Sequence, residues 1–87
     1  MVKLRGRILG EDGRVEHGEF ADVWLSEYVK QNGDVQVVGS IDLPAVVASL
    51  LKLDNYLLRL DNGKSCGIVL TDVRSRPASF LANGPPA

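Results

Sequence analysis

Three Asx-Gly dipeptides, Asp12-Gly13, Asn32-Gly33 and Asn62-Gly63, constrain this chain more than any other feature. Each separates segments that read as β-strand. An Asx-Gly pair readily supplies the positive φ angles of a tight type I′ turn, so each dipeptide is expected to close a β-hairpin.

The flanking segments support this reading. Over residues 2–9, Val2, Leu4, Gly6 and Ile8 fall on one face, and Lys3, Arg5 and Arg7 on the other. That is the two-residue period of a half-buried antiparallel strand. Residues 15–29 predict a long, bent second strand, with Ala21, Val23 and Leu25 on one face and Phe20, Asp22 and Trp24 on the other. Residues 34–41 predict a third strand, with Val35, Val37 and Ile41 facing one way and Gln36, Val38 and Ser40 the other.

The period changes after Ile41. Leu43, Val46, Val47, Leu50 and Leu51 recur at helical spacing, which predicts a helix over 43–53 with Asp42 as its N-cap and Pro44 in its first turn. Residues 56–61 and 64–73 then form a last hairpin. A two-residue turn at Asn62-Gly63 sets Asp61 opposite Lys64, Arg59 opposite Cys66, Leu58 opposite Gly67, Leu57 opposite Ile68 and Tyr56 opposite Val69. Residues 75–87 hold three of the four prolines and no periodicity, and read as a flexible C-terminal tail whose apolar pair, Phe80-Leu81, is available for docking.

The expected fold is therefore mainly β with one α-helix: a small five- or six-stranded barrel in the order β-β-β-α-β-β, OB-like or SH3-like. At 87 residues the chain makes one domain, expected over residues 1–74, followed by the tail.

Composition narrows the chemistry. The single cysteine, Cys66, has no intramolecular disulfide partner, and with His17 as the lone histidine a zinc site is short of its usual ligands. A reducing, cytoplasmic compartment is expected. The N-terminal segment alternates charge and apolarity instead of forming a signal-peptide core, and no apolar run reaches the roughly 20 residues of a membrane span.

Neither a Gly-x-Ser-x-Gly elbow nor a phosphate-binding glycine loop is present. A Cys66–His17 pair needs contact and an orienting third group to act. Glu19 and His17, two apart on one strand face, are too few ligands for a metal. No catalytic residues, metal or cofactor are expected, and the chain is read as a non-catalytic binding or protein-interaction module, self-association included.

Single-stranded nucleic acid is the alternative partner. Lys3, Arg5 and Arg7 form a basic ladder on one strand face, and Trp24 offers a stacking surface. The formal net charge of −1 argues against a dedicated duplex-DNA binder, which must neutralise many phosphates. The interaction reading rests instead on Phe80 and Leu81, on a sheet edge or on an apolar face.

Overall fold

In a computed structural model the protein is described over residues 2–87. Six strands, β1 (Val2–Leu9), β2 (Glu16–Val29), β3 (Val35–Ile41), β4 (Asn55–Leu60), β5 (Ser65–Asp72) and β6 (Ala78–Ala82), form a closed barrel in the order β1-β2-β3-β6-β5-β4. Every pairing is antiparallel, including the β1–β4 ladder that closes the ring. The mainly-β, single-helix, small-barrel expectation holds, with six strands.

Alternation places the core. Ile8, Val23, Val37, Ile41, Leu58, Leu60, Ile68, Leu70 and Phe80 point inward and are almost completely buried. Gly39 makes room among them, because a Cβ there would fall on the Trp24 carbonyl oxygen and the Phe80 ring. The bend expected in the second strand is a bulge. Between the pairs Gly6↔Ala21 and Ile8↔His17, β1 advances two residues while β2 advances four. Gly18, at φ +83°, supplies the left-handed backbone this needs.

The turns differ from expectation in type. No non-glycine residue among the described ones has positive φ, which rules out type I′ geometry, since both central residues would need it. Lys30 N–H donates to the Asp34 carbonyl (2.7 Å) and Leu60 N–H to the Lys64 carbonyl (2.8 Å), so residues 31–33 and 61–63 are three-residue loops. In each loop the left-handed position is taken by the glycine, Gly33 or Gly63. The Asx residue acts through its side chain: Oδ1 of Asn32 and of Asn62 accepts from the N–H two residues on, at 3.0 and 2.9 Å.

The extra loop residue moves the last hairpin by one position. Arg59 pairs with Ser65, Leu58 with Cys66, Leu57 with Gly67 and Tyr56 with Ile68. Asp61 therefore lies in the loop instead of opposite Lys64. The shifted register sends both Leu58 and Cys66 to the core.

The helix is far shorter than its period implies. Only Ala45–Ala48 is helical, and Pro44, not Asp42, stands at the N-cap without a side-chain cap bond. Asp42 instead extends the β2–β3 ladder, its N–H donating to the Asp22 carbonyl at 2.9 Å. Two adjacent β-branched valines and no cap leave too little intrinsic stability to carry three turns. Leu43 and Leu51 still bury their side chains against the barrel interior, whereas Val46 and Leu50 are exposed.

The C-terminal segment is the main correction. Residues 78–82 form β6, which lies between β3 and β5 and pairs with both. Ala78, Phe80 and Ala82 point into the core, and Phe80 retains 1% of its exposure. Beyond β6 the chain follows β5: Asn83 N–H donates to the Gly67 carbonyl (2.9 Å), and Ser65 and Ala87 exchange backbone bonds of 3.1 and 2.9 Å. The barrel therefore extends past residue 74, and the segment expected to be a flexible tail holds one of its walls.

Phe80→Ala is expected to cost about 3–5 kcal/mol, the usual penalty for emptying a core aromatic site. Removing residues 75–87 is expected to abolish the cooperative urea transition altogether. Both outcomes are read from unfolding curves followed by Trp24 fluorescence. A truncated chain that still unfolds sigmoidally would show that β6 is dispensable.

Candidate functional site

The outer surface divides into two unlike regions. On β1 and β2 the basic ladder faces outward as the alternation requires, but each cation meets a carboxylate on β2. Lys3 Nζ lies 3.7 Å from Asp22 Oδ2, and Arg5 Nη1 lies 3.3 Å from Asp22 Oδ1. Arg5 Nη2 also donates to the Phe20 carbonyl at 2.8 Å. Arg7 Nη1 lies 2.8 Å from Glu16 Oε2, and its guanidinium stacks 4.4 Å from the Phe20 ring centroid.

These are mostly exposed pairs, each worth about 0–1 kcal/mol in water. Arg7 differs, being largely covered at the β2 bulge with its Nε buried and unpartnered. The three cations therefore do not form a free ladder. Asp22 is shared by the first two, and the third is folded down against an aromatic ring.

The second region spans β2, β3, β6 and β5. Trp24 stands opposite Ser40, and Ser40 opposite Ser79. One step along, Ser26, Val38, Leu81 and Val69 form an unbroken cross-strand row. All of these except Val69, together with Thr71, line a shallow open groove of about 360 Å³ to which no charged residue contributes. At Leu81 it adjoins a second groove of about 500 Å³, bounded by Val35, Gln36 and Val69 and flanked by Lys30 and Asp34.

Of the residues expected at an interaction site, Leu81 is in place, 43% exposed in the middle of the row. Phe80 is not. Successive residues of β6 point to opposite faces, so Phe80 is sealed in the core when Leu81 faces out. Trp24 lies at the edge of the groove, with Lys3 Nζ 6.0 Å from its ring centroid. The sequence pattern does not single out Val38, Ser40 or Ser79. For Val38 and Ser40 the one sequence signal is that the outward set of the third strand, Gln36, Val38 and Ser40, carries no charge.

The groups considered for catalysis are separated. Cys66 pairs with Leu58, Leu58 with Ile8, and Ile8 with His17. Three ladder steps put Cys66 and His17 about 14 Å apart along the sheet. The His17 ring packs edge-on against Tyr56 at 5.7 Å. The left-handed Gly18 separates His17 from Glu19, so the two do not sit as simple neighbours on a strand face. Among the described residues there is no cluster of three or more His, Cys, Asp or Glu placed to hold a metal ion, and no helix is long and apolar enough to cross a membrane.

No protein-family model, curated protein or solved structure matches this chain.

Burial pushes the Cys66 thiol above its ordinary pKa. The thiolate is the reactive form, so the native protein is expected to react with an aromatic disulfide reagent at pH 8 at least about 100-fold more slowly than the urea-unfolded chain. The same shift weakens the fold in alkali. The native state holds the thiol proton more tightly than the unfolded state, so stability falls as pH rises past the unfolded thiol pKa. Rapid labelling of the native protein at pH 8 would show that Cys66 is accessible and ionised.

Proposed function

We propose that this chain is a non-catalytic protein-interaction module that docks a partner on the uncharged groove across β2, β3, β6 and β5. The observation that carries the reading is the charge distribution. Charged residues make up 24% of the chain, yet none lines the groove at Trp24, Val38 and Leu81. Covering such a strip desolvates no ion, which is the usual composition of an interface centre. Trp24 is a suitable anchor, since a large amphipathic ring contributes much of the energy in small interfaces. Ser26, Ser40 and Ser79 supply hydroxyls that fix the register of a bound segment. A buried, unpaired thiol at Cys66 suits a reducing cytoplasm.

A second reading, a single-stranded nucleic-acid binder of OB-like habit, draws on one observation: Lys3 stands beside the Trp24 ring, which places a cation next to a stacking surface. Against it, Lys3 and Arg5 share Asp22, and the net charge is −1. Phosphate binding would first have to break those pairs.

Site-specific photocrosslinking in cells that naturally make the protein separates the readings. A photoreactive residue replacing Ser40 is expected to give a discrete protein adduct. The same residue at the exposed Arg59 on β4 is expected to give none, and Leu81→Asp is expected to remove the Ser40 adduct by placing a charge in the row. Absence of the Ser40 adduct would sink the interaction reading. If oligo-dT or oligo-U then bound at low salt, with a steep salt dependence and loss in a Lys3/Arg5/Arg7→Ala variant, the nucleic-acid reading would replace it.

A further inference from the structure

The β2–β3 hairpin outruns the barrel. Among the described residues β2 pairs with β1 as far as Val2↔Leu25 and β3 pairs with β6 as far as Val37↔Ala82, yet β2 and β3 stay paired to Val29↔Val35. Residues 28–36 therefore form a two-stranded arm with Glu27 at its base, and the molecule is elongated at 38 × 26 × 22 Å. The arm carries exposed apolar groups, with Tyr28 58% and Val29 76% accessible. It is also where the otherwise closed sheet has open edges.

The direction of the unpaired groups follows from the ladder. Lys30 N–H donates to the Asp34 carbonyl and Asp42 N–H to the Asp22 carbonyl, so the even-numbered residues of β2 make the hydrogen bonds to β3. In an antiparallel ladder the alternate residues turn their N–H and C=O the other way. Those of Leu25 meet Val2. Those of Glu27 and Val29 meet no strand among the described residues. The opposite edge of the arm is shorter, offering only Val35 beyond the last β6 pair.

We propose that the Glu27–Val29 edge pairs with the same edge of a second copy, antiparallel about a twofold axis through Tyr28, to give a homodimer. The edge is complementary to itself. With Tyr28 on the axis, Glu27 of each copy faces Val29 of the other, and their outward backbone groups exchange hydrogen bonds on both sides. The two Tyr28 rings meet at the closer, non-hydrogen-bonded position, where aromatic side chains pair well.

The charges are compatible with this pairing. Across the seam Glu27 faces Val29 and Lys30 faces Ser26, so no like charges stand opposite each other, whereas a parallel in-register pairing would set Glu27 against Glu27 and Lys30 against Lys30. Because even-numbered residues pair with even-numbered ones, both Trp24 grooves lie on the same side of the joined sheet.

Sedimentation equilibrium of the full chain tests this from about 10 μM to about 1 mM, the range for an interface below standard size. The mass is expected to rise from 9.4 kDa toward twice that value. Val29→Pro removes an outward N–H that the monomer does not use, so it is expected to leave the barrel's amide spectrum intact and weaken the dimer at least about tenfold. Val35→Pro, the same change on the other edge, is expected to dimerise as the parent does. In the parent, amide exchange at Glu27 and Val29 is expected to slow with concentration. A monomer across the whole range overturns the proposal, as does equal weakening by both prolines or exchange at these amides that ignores concentration.

Discussion

Closure of the barrel by β6 is the constraint on which the rest of the structure depends. Without β6, β3 and β5 would each present a free edge, and the Phe80 ring would be missing from the interior. With it, every strand of the barrel body is paired on both sides, which removes the unpaired backbone groups that otherwise invite other chains. The ring is small, so its interior admits little variation. Gly39 clears the Phe80 ring because it has no Cβ, and the bulge at Gly18 lets β2 bend around a tight circumference.

The period-two pattern located five of the six strands and set Ile8, Ala21, Val23, Leu25, Val37 and Ile41 on the faces that the barrel turns inward. β6 was missed although Ala-Ser-Phe-Leu-Ala also alternates, with its first, third and fifth residues inward. Six residues between Pro77 and a Gly-Pro-Pro segment resemble a tail by composition, and the pattern becomes meaningful only when two partner strands are waiting. The hairpin register failed for a different reason. Asx-Gly fits both a two-residue turn with two left-handed residues and a three-residue loop with one, and the sequence alone does not choose between them. Here the Asx residues retain ordinary φ angles and accept hydrogen bonds through their side chains. The helical period of 43–53 was real as a burial pattern for Leu43 and Leu51, with Val47 and Ala48 packed in part against the core, but the segment forms a single helical turn.

The candidate site was less legible than the fold. Lys3, Arg5 and Arg7 were correctly placed on one face, but the sequence did not reveal that Asp22 and Glu16 would stand across from them, because the β1–β2 register passes through a bulge. Phe80 and Leu81 were selected as a pair, and strand geometry then split them between core and surface. The groove itself joins residues from three distant segments, Trp24 and Ser26, Val38 and Ser40, and Ser79 and Leu81, so it exists only once β6 has docked.

Folding and the surface proposed for binding are therefore coupled through one short strand. β6 contributes Phe80 to the interior and Leu81 to the groove, so a change that loosens it removes core contacts and the centre of the groove together. The arm is different in kind. Its geometry depends on the β2–β3 ladder and the Asn32-Gly33 loop, and it projects beyond both β1 and β6. Pairing at its edge leaves the barrel interior unchanged, while coupling at the groove depends on the closed ring. A partner seated at Trp24 and Leu81 would bind only the closed barrel and so stabilise β6 by mass action, whereas a second copy on the arm would order the hairpin alone.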